Sequence, residues 1–421
     1  MTMSRRGFMV TAGLASTIPV QAWATSPDVS SPSASGSKPM TAFGGIQFTP
    51  MDVTYLDSGT MHPASVGARA SLHAYMEYRA RDPAAPHYDY STEERVLGKF
   101  AKLINADADE VAYVQSTTAG EQLVVRSLGL PERGAHVVTD TFHFFGSFYL
   151  YEELAKQGVK VSWIRPRDNR IQLDDIEAAV TQGTRLVALS AVSTYNGFEH
   201  DLKKVCEIAH AKGALVYADI IHAAGCIPID VKASNVDFAA CASYKWLMGD
   251  FGLGFLYIRK DLQHKIRRPQ FGYEQIIGSS FTTHVYPLDP PGATIADYAV
   301  RDSATGLVAM GTHSFGVRAM LDYSLSYLLE VGVPAIQAHA KPLTDRLKSE
   351  LLRRGFHVVT PLDCTAPFVT CIVGDVTVLK SGLEAEKIQI TIGHNRFRVT
   401  PSVFNTMDDI DRLLDVLGTK S

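Results

Sequence analysis

Apolar positions along the chain follow two periods that take turns. Short runs rich in aliphatic and β-branched residues (His136-Val137-Val138-Thr139, 159–164, 186–190 and 214–218) have the length and composition of strands buried on both faces. Between them, 173–181 and 202–211 carry apolar residues at helical spacing. This alternation predicts an α/β fold, a mostly parallel sheet covered by helices on both sides. Glycines 249, 252 and 254 precede a further strand over 255–258. Beyond about Gly311 the pattern changes. A long helical stretch through Leu329 is followed by a helix over 334–354, strands at 356–360, 368–373 and 397–400, and a last helix near 407–417. The expected organisation is a large domain over 41–311 and a smaller C-terminal α+β domain over 312–421.

Composition narrows the picture only in part. The chain has 421 residues, 46% hydrophobic and 20% charged, with a formal charge of −4. That is ordinary for a globular protein and enough for two packed domains. No cluster of Lys and Arg interleaves with aromatics, which argues against nucleic acid as a partner. The five cysteines form no tight metal spacing, and their apolar neighbours suggest small buried hydrophobes. Cys364 and Cys371 are the pair that an oxidising compartment would test, although separation alone does not set disulfide geometry.

The amino-terminal segment is different in kind. Ser4-Arg5-Arg6-Gly7-Phe8-Met9 resembles a twin-arginine export motif, an apolar run over 8–20 follows, and Ala22-Trp23-Ala24 has the A-x-A form of a cleavage site. The run is too short to span a bilayer, so an integral membrane protein is not expected. The expectation is a signal peptide over 1–24 and a Ser/Pro-rich disordered linker over 25–40. The folded protein would then reach the periplasm through the twin-arginine export machinery.

Candidate chemistry centres on Ser243-Tyr244-Lys245-Trp246-Leu247, a lysine just past an apolar strand, enclosed by aromatics and followed by glycines. A buried lysine loses its charge readily, and the neutral amine condenses with aldehydes. Upstream, Asp219 closes an apolar strand, and His222 follows three residues later. In open α/β sheets the carboxyl edge is where ligands sit. A carboxylate there suits a pyridinium nitrogen, and His222 suits a phenolic oxygen beside it. Gln115-Ser116-Thr117-Thr118-Ala119-Gly120-Glu121 is a hydroxyl-rich turn entering a helix predicted over 122–128, the kind of helix start that takes phosphate. Asp140-Thr141-Phe142-His143-Phe144-Phe145-Gly146 offers His143 or Phe144 to stack on a flat ring. Rival chemistries lack their residues. None of the fourteen histidines supplies an HExxH metal site, no G-x-S-x-G elbow is present, and Gly252 and Gly254 lead into a strand instead of a dinucleotide-binding helix. A non-catalytic ligand-binding protein would tolerate the loss of Lys245 or Asp219, and both are present.

Together these elements, in this order, resemble the class V aminotransferase family, a branch of the fold-type I pyridoxal-5'-phosphate (PLP) enzymes. The resemblance runs from Tyr55-Leu56-Asp57-Ser58 to the C-terminal helix. It implies that Lys245 holds PLP as a Schiff base, flanked by Ser243 and Tyr244. It further implies that Thr117 and Thr118 bind the phosphate, that His143 stacks on the ring, and that Asp219 and His222 meet the ring nitrogen and phenolic oxygen. Arg398, in Asn395-Arg396-Phe397-Arg398-Val399-Thr400, would grip a substrate carboxylate. A homodimer with active sites at its interface is also implied. Two departures matter. Where the family often has Asn, three residues before the glycine that here is Gly197, this chain has Thr194, which leaves that cofactor contact open. Cysteine desulfurases carry a catalytic cysteine shortly before the arginine segment, and 388–395 contains none. His222 and Ser-Tyr-Lys-Trp-Leu look more like the kynureninase and isopenicillin N epimerase branches. The expected activity is therefore a PLP-dependent reaction at Cα of an amino acid, amine or peptide, with transamination leading and epimerisation or lyase chemistry as alternatives. Exported relatives that tailor a secreted siderophore peptide make such a substrate a natural expectation.

Overall fold

Strands buried on both faces must be covered from both sides, and that requirement shapes the molecule. The structure is a computed structural model that describes residues 38–82, 90–277 and 298–418. The segments expected to be an export leader (1–24) and most of the expected linker (25–40) lie outside the described residues. Pro39–Ser421 forms one unit. Its main sheet has seven strands: β1 (Val111–Val114), β2 (His136–Asp140), β3 (Lys160–Ile164), β4 (Thr184–Ser190), β5 (Leu215–Asp219), β6 (Phe238–Ala242) and β7 (Gly254–Ile258). They lie in the order β1-β7-β6-β5-β4-β2-β3. Every pairing from β6 to β3 is parallel, and β7 runs antiparallel to both β6 and β1.

The helices that cover this sheet are α1 (Val66–Arg81), α2 (Tyr90–Leu103), α3 (Thr117–Ser127), α4 (Phe145–Lys156), α5 (Leu173–Ala179), α6 (Leu202–His210) and α7 (Phe315–Val331). Successive strand residues point to opposite faces. Val138, Val187 and Val216 therefore join a core with Phe100, Val205 and Leu321. Their neighbours Val137, Leu186 and Tyr217 join a second core with Leu123 and Val124 of α3 and Tyr151 of α4.

The C-terminal part adds α8 (Val333–Arg353), a four-stranded antiparallel sheet and α9 (Met407–Leu417). The strands β8 (His357–Val358), β9 (Val369–Ile372), β10 (Thr391–Ile392) and β11 (Arg396–Val399) lie in the order β8-β9-β11-β10. Phe397 and Val399 of β11 pack with Leu347 of α8 and Leu413 of α9. Alternation then turns Arg398 to the opposite face of the small sheet.

Three local differences from the sequence reading have physical causes. Helix α3 starts at Thr117, not at 122, because Ser116 takes an extended conformation and its hydroxyl accepts from the Ala119 N–H at 3.1 Å, capping the helix five residues earlier. Thr117 and Thr118 are thus in the first helical turn. Helix α1 carried no periodic signal, and only Ala68 and Tyr75 of its sixteen residues are buried. Strand β8 covers two of the five residues expected over 356–360. All five cysteines are free and buried, Cys364 and Cys371 included. Among the described residues no helix is long and apolar enough to cross a membrane.

Candidate active site

Strand β6 delivers the lysine. The chain leaves the sheet after Ala242 and turns over Ser243 and Tyr244, and backbone bonds fix that turn. The Ser243 N–H donates to the Leu253 carbonyl at 3.0 Å, the Gly249 N–H donates to the Ser243 carbonyl at 2.9 Å, and the Ser243 hydroxyl donates to the Asp250 carbonyl at 2.6 Å. The packing is close enough to demand glycine twice. A Cβ at Gly249 would sit 2.8 Å from the Ser243 side chain, and one at Gly225 would sit 2.5 Å from the Trp246 carbonyl oxygen. Lys245 is left 8% exposed, with Nζ 3.0 Å from His222 Nε2. Burial pulls its amine down to about 8, with Asp219 opposing and Arg398 assisting. Burial, then the charges of Lys245 and Arg398, hold His222 well below the ordinary histidine range, so its ring is neutral. His222 Nδ1 is buried without a hydrogen-bond partner.

Asp219 ends β5, in register with Ser190 of β4. Its Oδ1 accepts from the Ile221 N–H at 2.9 Å. Burial lifts the carboxyl to about 6, and His143, the Ile221 N–H and Lys245 pull it back. Such a carboxylate is under-compensated for its depth and suits a cationic N–H. Beside it, Thr117 Oγ1 accepts from the Ala242 N–H at 2.9 Å, which pins the amino end of α3 to the end of β6. Thr118 is exposed. Amides of a first helical turn lack intrahelical acceptors and favour phosphate.

His143 is fully buried, with Nε2 2.9 Å from Glu121 Oε1 and Nδ1 2.9 Å from Ser190 Oγ. Phe144 instead packs on Phe145, with ring centroids 4.6 Å apart. Tyr244 stacks on Phe251 at 4.3 Å, and Lys245 Nζ lies 5.6 Å from the Tyr244 ring centroid.

Arg398 is already well held by protein groups. Nη1 donates to the Thr194 carbonyl at 3.0 Å and its hydroxyl at 2.8 Å, Nη2 donates to the hydroxyls of Thr60 at 2.8 Å and Thr391 at 3.0 Å, and Asp57 Oδ1 lies 3.5 Å away. Its Nε–H is buried without a partner. Thr194 is therefore an Arg398 contact in this structure. The Phe368 ring links the two halves of the site, edge-on to His222 at 5.0 Å and 5.7 Å from the Arg398 guanidinium. The neighbouring Arg396 is exposed, over the Tyr195 ring.

The structure thus gathers Lys245, His222, Asp219, Thr117, His143 and Ser243 at the carboxyl edge of the sheet, with Arg398 facing them from the C-terminal part and bonded to Thr194 in the segment after β4. The sequence reading missed Glu121, Asp57, Thr60 and Phe368. Two of them had a signal: Asp57 through its place in Tyr55-Leu56-Asp57-Ser58, and Glu121 as the last residue of the hydroxyl-rich motif from Gln115. Among the described residues no cluster of three or more His, Cys, Asp or Glu is arranged to hold a metal ion.

An open parallel sheet with a buried amine, a strained carboxylate and a helix start at one edge defines the class: a fold-type I PLP-dependent enzyme. The chain belongs to the aminotransferase class-V family, matched over residues 90–413. It is 27% identical to a probable cysteine desulfurase of Methanothermobacter thermautotrophicus over 302 residues, 70% of this chain and 72% of that protein. It is also 27% identical to an uncharacterized aminotransferase of Bacillus subtilis over 333 residues, 78% and 84% of the two chains. Among solved structures, a cystine C–S lyase variant with glycine covalently linked to its PLP cofactor superposes with a TM-score of 0.77 at 17% identity, covering 88% of this chain and 99% of that one. The residues present fit PLP: His222 Nδ1 is buried without a partner, Asp219 is under-compensated for its depth, and the amino end of α3 turns its first amides and its dipole toward an anion.

Proposed function

We propose that the protein acts at Cα of an amino acid or an amine-bearing peptide, with transamination as its reaction and Lys245 as its catalytic residue. The observation that carries this reading is the buried Lys245 amine, 3.0 Å from a neutral His222 and under the field of Asp219. When bound, PLP supplies an electron sink for the bond broken at Cα. Asp219 would hold the proton on the ring nitrogen, His222 Nδ1 would face the phenolic oxygen, and Thr117 and Thr118 would hold the phosphate. With its amine free, Lys245 would act as the general base. An amine near 8 is matched to proton transfer at neutral pH, and His222 Nε2 steers it.

Sulfur transfer, the activity named for several relatives, is not the reading favoured. A persulfide carrier needs a reachable thiolate. Here every cysteine is buried, and burial raises the thiols of Cys206, Cys226, Cys241 and Cys364. The experiment that decides the reaction is to incubate the holoenzyme with a panel of amino acids and amine-bearing peptides and analyse the products by mass and chirality. A carbonyl product replacing the amine supports transamination. Inversion at unchanged mass, or loss of a β-substituent, overturns it.

Arg398 is the proposed grip for a substrate carboxylate, through its free Nε–H and the threonine-held Nη groups. Arg398→Ala is expected to raise KM by the equivalent of about 2–5 kcal/mol, the range for a desolvated charge pair that loses one partner. Arg398→Lys should restore only part, because an ammonium lacks the two-point fork. Steady-state kinetics check this, with the exposed Arg396→Ala as the control. A large effect at Arg396 and none at Arg398 would reassign the grip.

Two further proposals complete the reading. The Arg5-Arg6 pair and Ala22-Trp23-Ala24 support export of the folded, cofactor-loaded protein to the periplasm. Replacing both arginines with lysine is expected to leave a PLP-loaded precursor in the cytoplasm, read by cell fractionation; mature periplasmic protein at full yield would contradict it. Exposed Phe271, Tyr273 and Met310, beside a cavity of about 590 Å³ lined by Gln115, Gly252 and His313, support a homodimer closing over that face.

A further inference from the structure

Glu121 is a buried carboxylate to which no role above belongs. It lies on α3, 2% exposed, and accepts from three side chains: His143 Nε2 at 2.9 Å, the Ser147 hydroxyl at 2.5 Å and the Tyr151 hydroxyl at 2.6 Å. The opposite edge of the imidazole reaches Ser190 Oγ at 2.9 Å, and Ser190 pairs in register with Asp219. Both nitrogens of His143 are thereby tied to side chains, one toward α3 and the other toward the strand end that carries Asp219.

The charged and titratable groups facing His143 come from every element packed on it. Glu121 is on α3, Tyr151 on α4, Asp140 at the end of its own strand, and Tyr217 and Asp219 are on β5. Three of these are carboxyls. A carboxylate and an imidazole at this depth gain by sharing charge, since neither is solvated by water. Burial opposes charge on the imidazole, but Glu121, Asp219 and Asp140 together outweigh it, and the group is raised above its ordinary value. Burial likewise opposes the Glu121 carboxylate, and His143 with the three donors holds it below the usual range.

We propose that Glu121 is a positioning residue that fixes His143 as an imidazolium, and that this imidazolium keeps Asp219 ionised toward the cofactor ring nitrogen. Charges then alternate from α3 to the cofactor: Glu121 negative, His143 positive, Asp219 negative. The proposal rests on the reading of Asp219 and Lys245 given above. It also explains why a glutamate is buried on α3, whose other buried residues include Gly120, Leu123 and Val124.

Histidine-selective ¹⁵N NMR of the apo-protein tests it without cofactor, with His143 assigned by its absence in His143→Asn. Both ring nitrogens of His143 are expected to stay protonated through neutral pH. In Glu121→Gln the imidazole should lose its proton about 1–3 pH units lower, the usual consequence of removing an opposite charge in contact. In the holoenzyme the same substitution should shift the pH midpoint of the bound-cofactor absorbance while borohydride labelling of Lys245 persists. A glutamate with a structural role alone would change neither titration. A neutral wild-type His143 at pH 7 overturns the proposal, whether or not Glu121→Gln folds. Unchanged His143 and cofactor titrations in a folded Glu121→Gln overturn it as well. A charged His143 with no labelling at Lys245 overturns instead the cofactor reading on which the proposal rests, so the two failures are separable.

Discussion

Lys245→Ala is expected to abolish turnover and the covalent hold on PLP while leaving the fold intact. In the proposed function the amine would be the nucleophile that retains the aldehyde and the base that moves the Cα proton, and among the described residues no other lysine hydrogen-bonds His222 Nε2, which Lys245 Nζ reaches at 3.0 Å. The fold should survive because the lysine contributes little to stability. Burial already depresses its amine to about 8, so the charged form is held at a cost that alanine removes. Cofactor absorbance after gel filtration, kcat and far-UV circular dichroism read the three parts separately. A variant that keeps covalently bound cofactor and turns over would refute the assignment.

Asp219→Ala should cost less than the lysine but still a great deal. The carboxylate is the anion placed at the end of β5, and its burial makes it worth more than it would be in water. On the proposed function the cofactor nitrogen would then lack its counter-charge, and charge developing at Cα would be less well stabilised. A loss of about a thousandfold in kcat, roughly 4 kcal/mol of barrier, is expected. Cofactor retention should fall less, since Lys245 and the amino end of α3 remain. Single-turnover rates measure the chemical step directly. Near-normal rates would mean that another group holds the ring nitrogen.

Much of the large sheet was legible because parallel strands buried on both faces leave a strong local signature. The runs at 136–139, 186–190 and 214–218 correspond to β2, β4 and β5 with ends moved by one or two residues. The grouping of Asp219, His222 and Lys245 was legible for a related reason: strand ends in such a sheet converge on one edge, so polar residues just past apolar runs are brought together. What the sequence hid depends on distance along the chain. Thr194 meets Arg398 across 204 residues and Thr60 meets it across 338; Thr194 stood out as a departure from the family pattern but not as an Arg398 partner, and no local pattern marks Thr60. Glu121 was visible as a letter in a hydroxyl-rich motif, but its three donors come from the turn after β2 and from α4. The start of α3 was misplaced because Ser116, not the apolar pattern, decides where that helix begins.

The central claim is that Lys245 carries the cofactor, and reduction followed by peptide mapping tests it most directly. Borohydride treatment of the purified holoenzyme, proteolysis and mass spectrometry should place the reduced cofactor mass on the peptide containing Ser243-Tyr244-Lys245-Trp246. Fragmentation should locate it on Lys245 itself. The cofactor on any other lysine, or on none, would contradict the account.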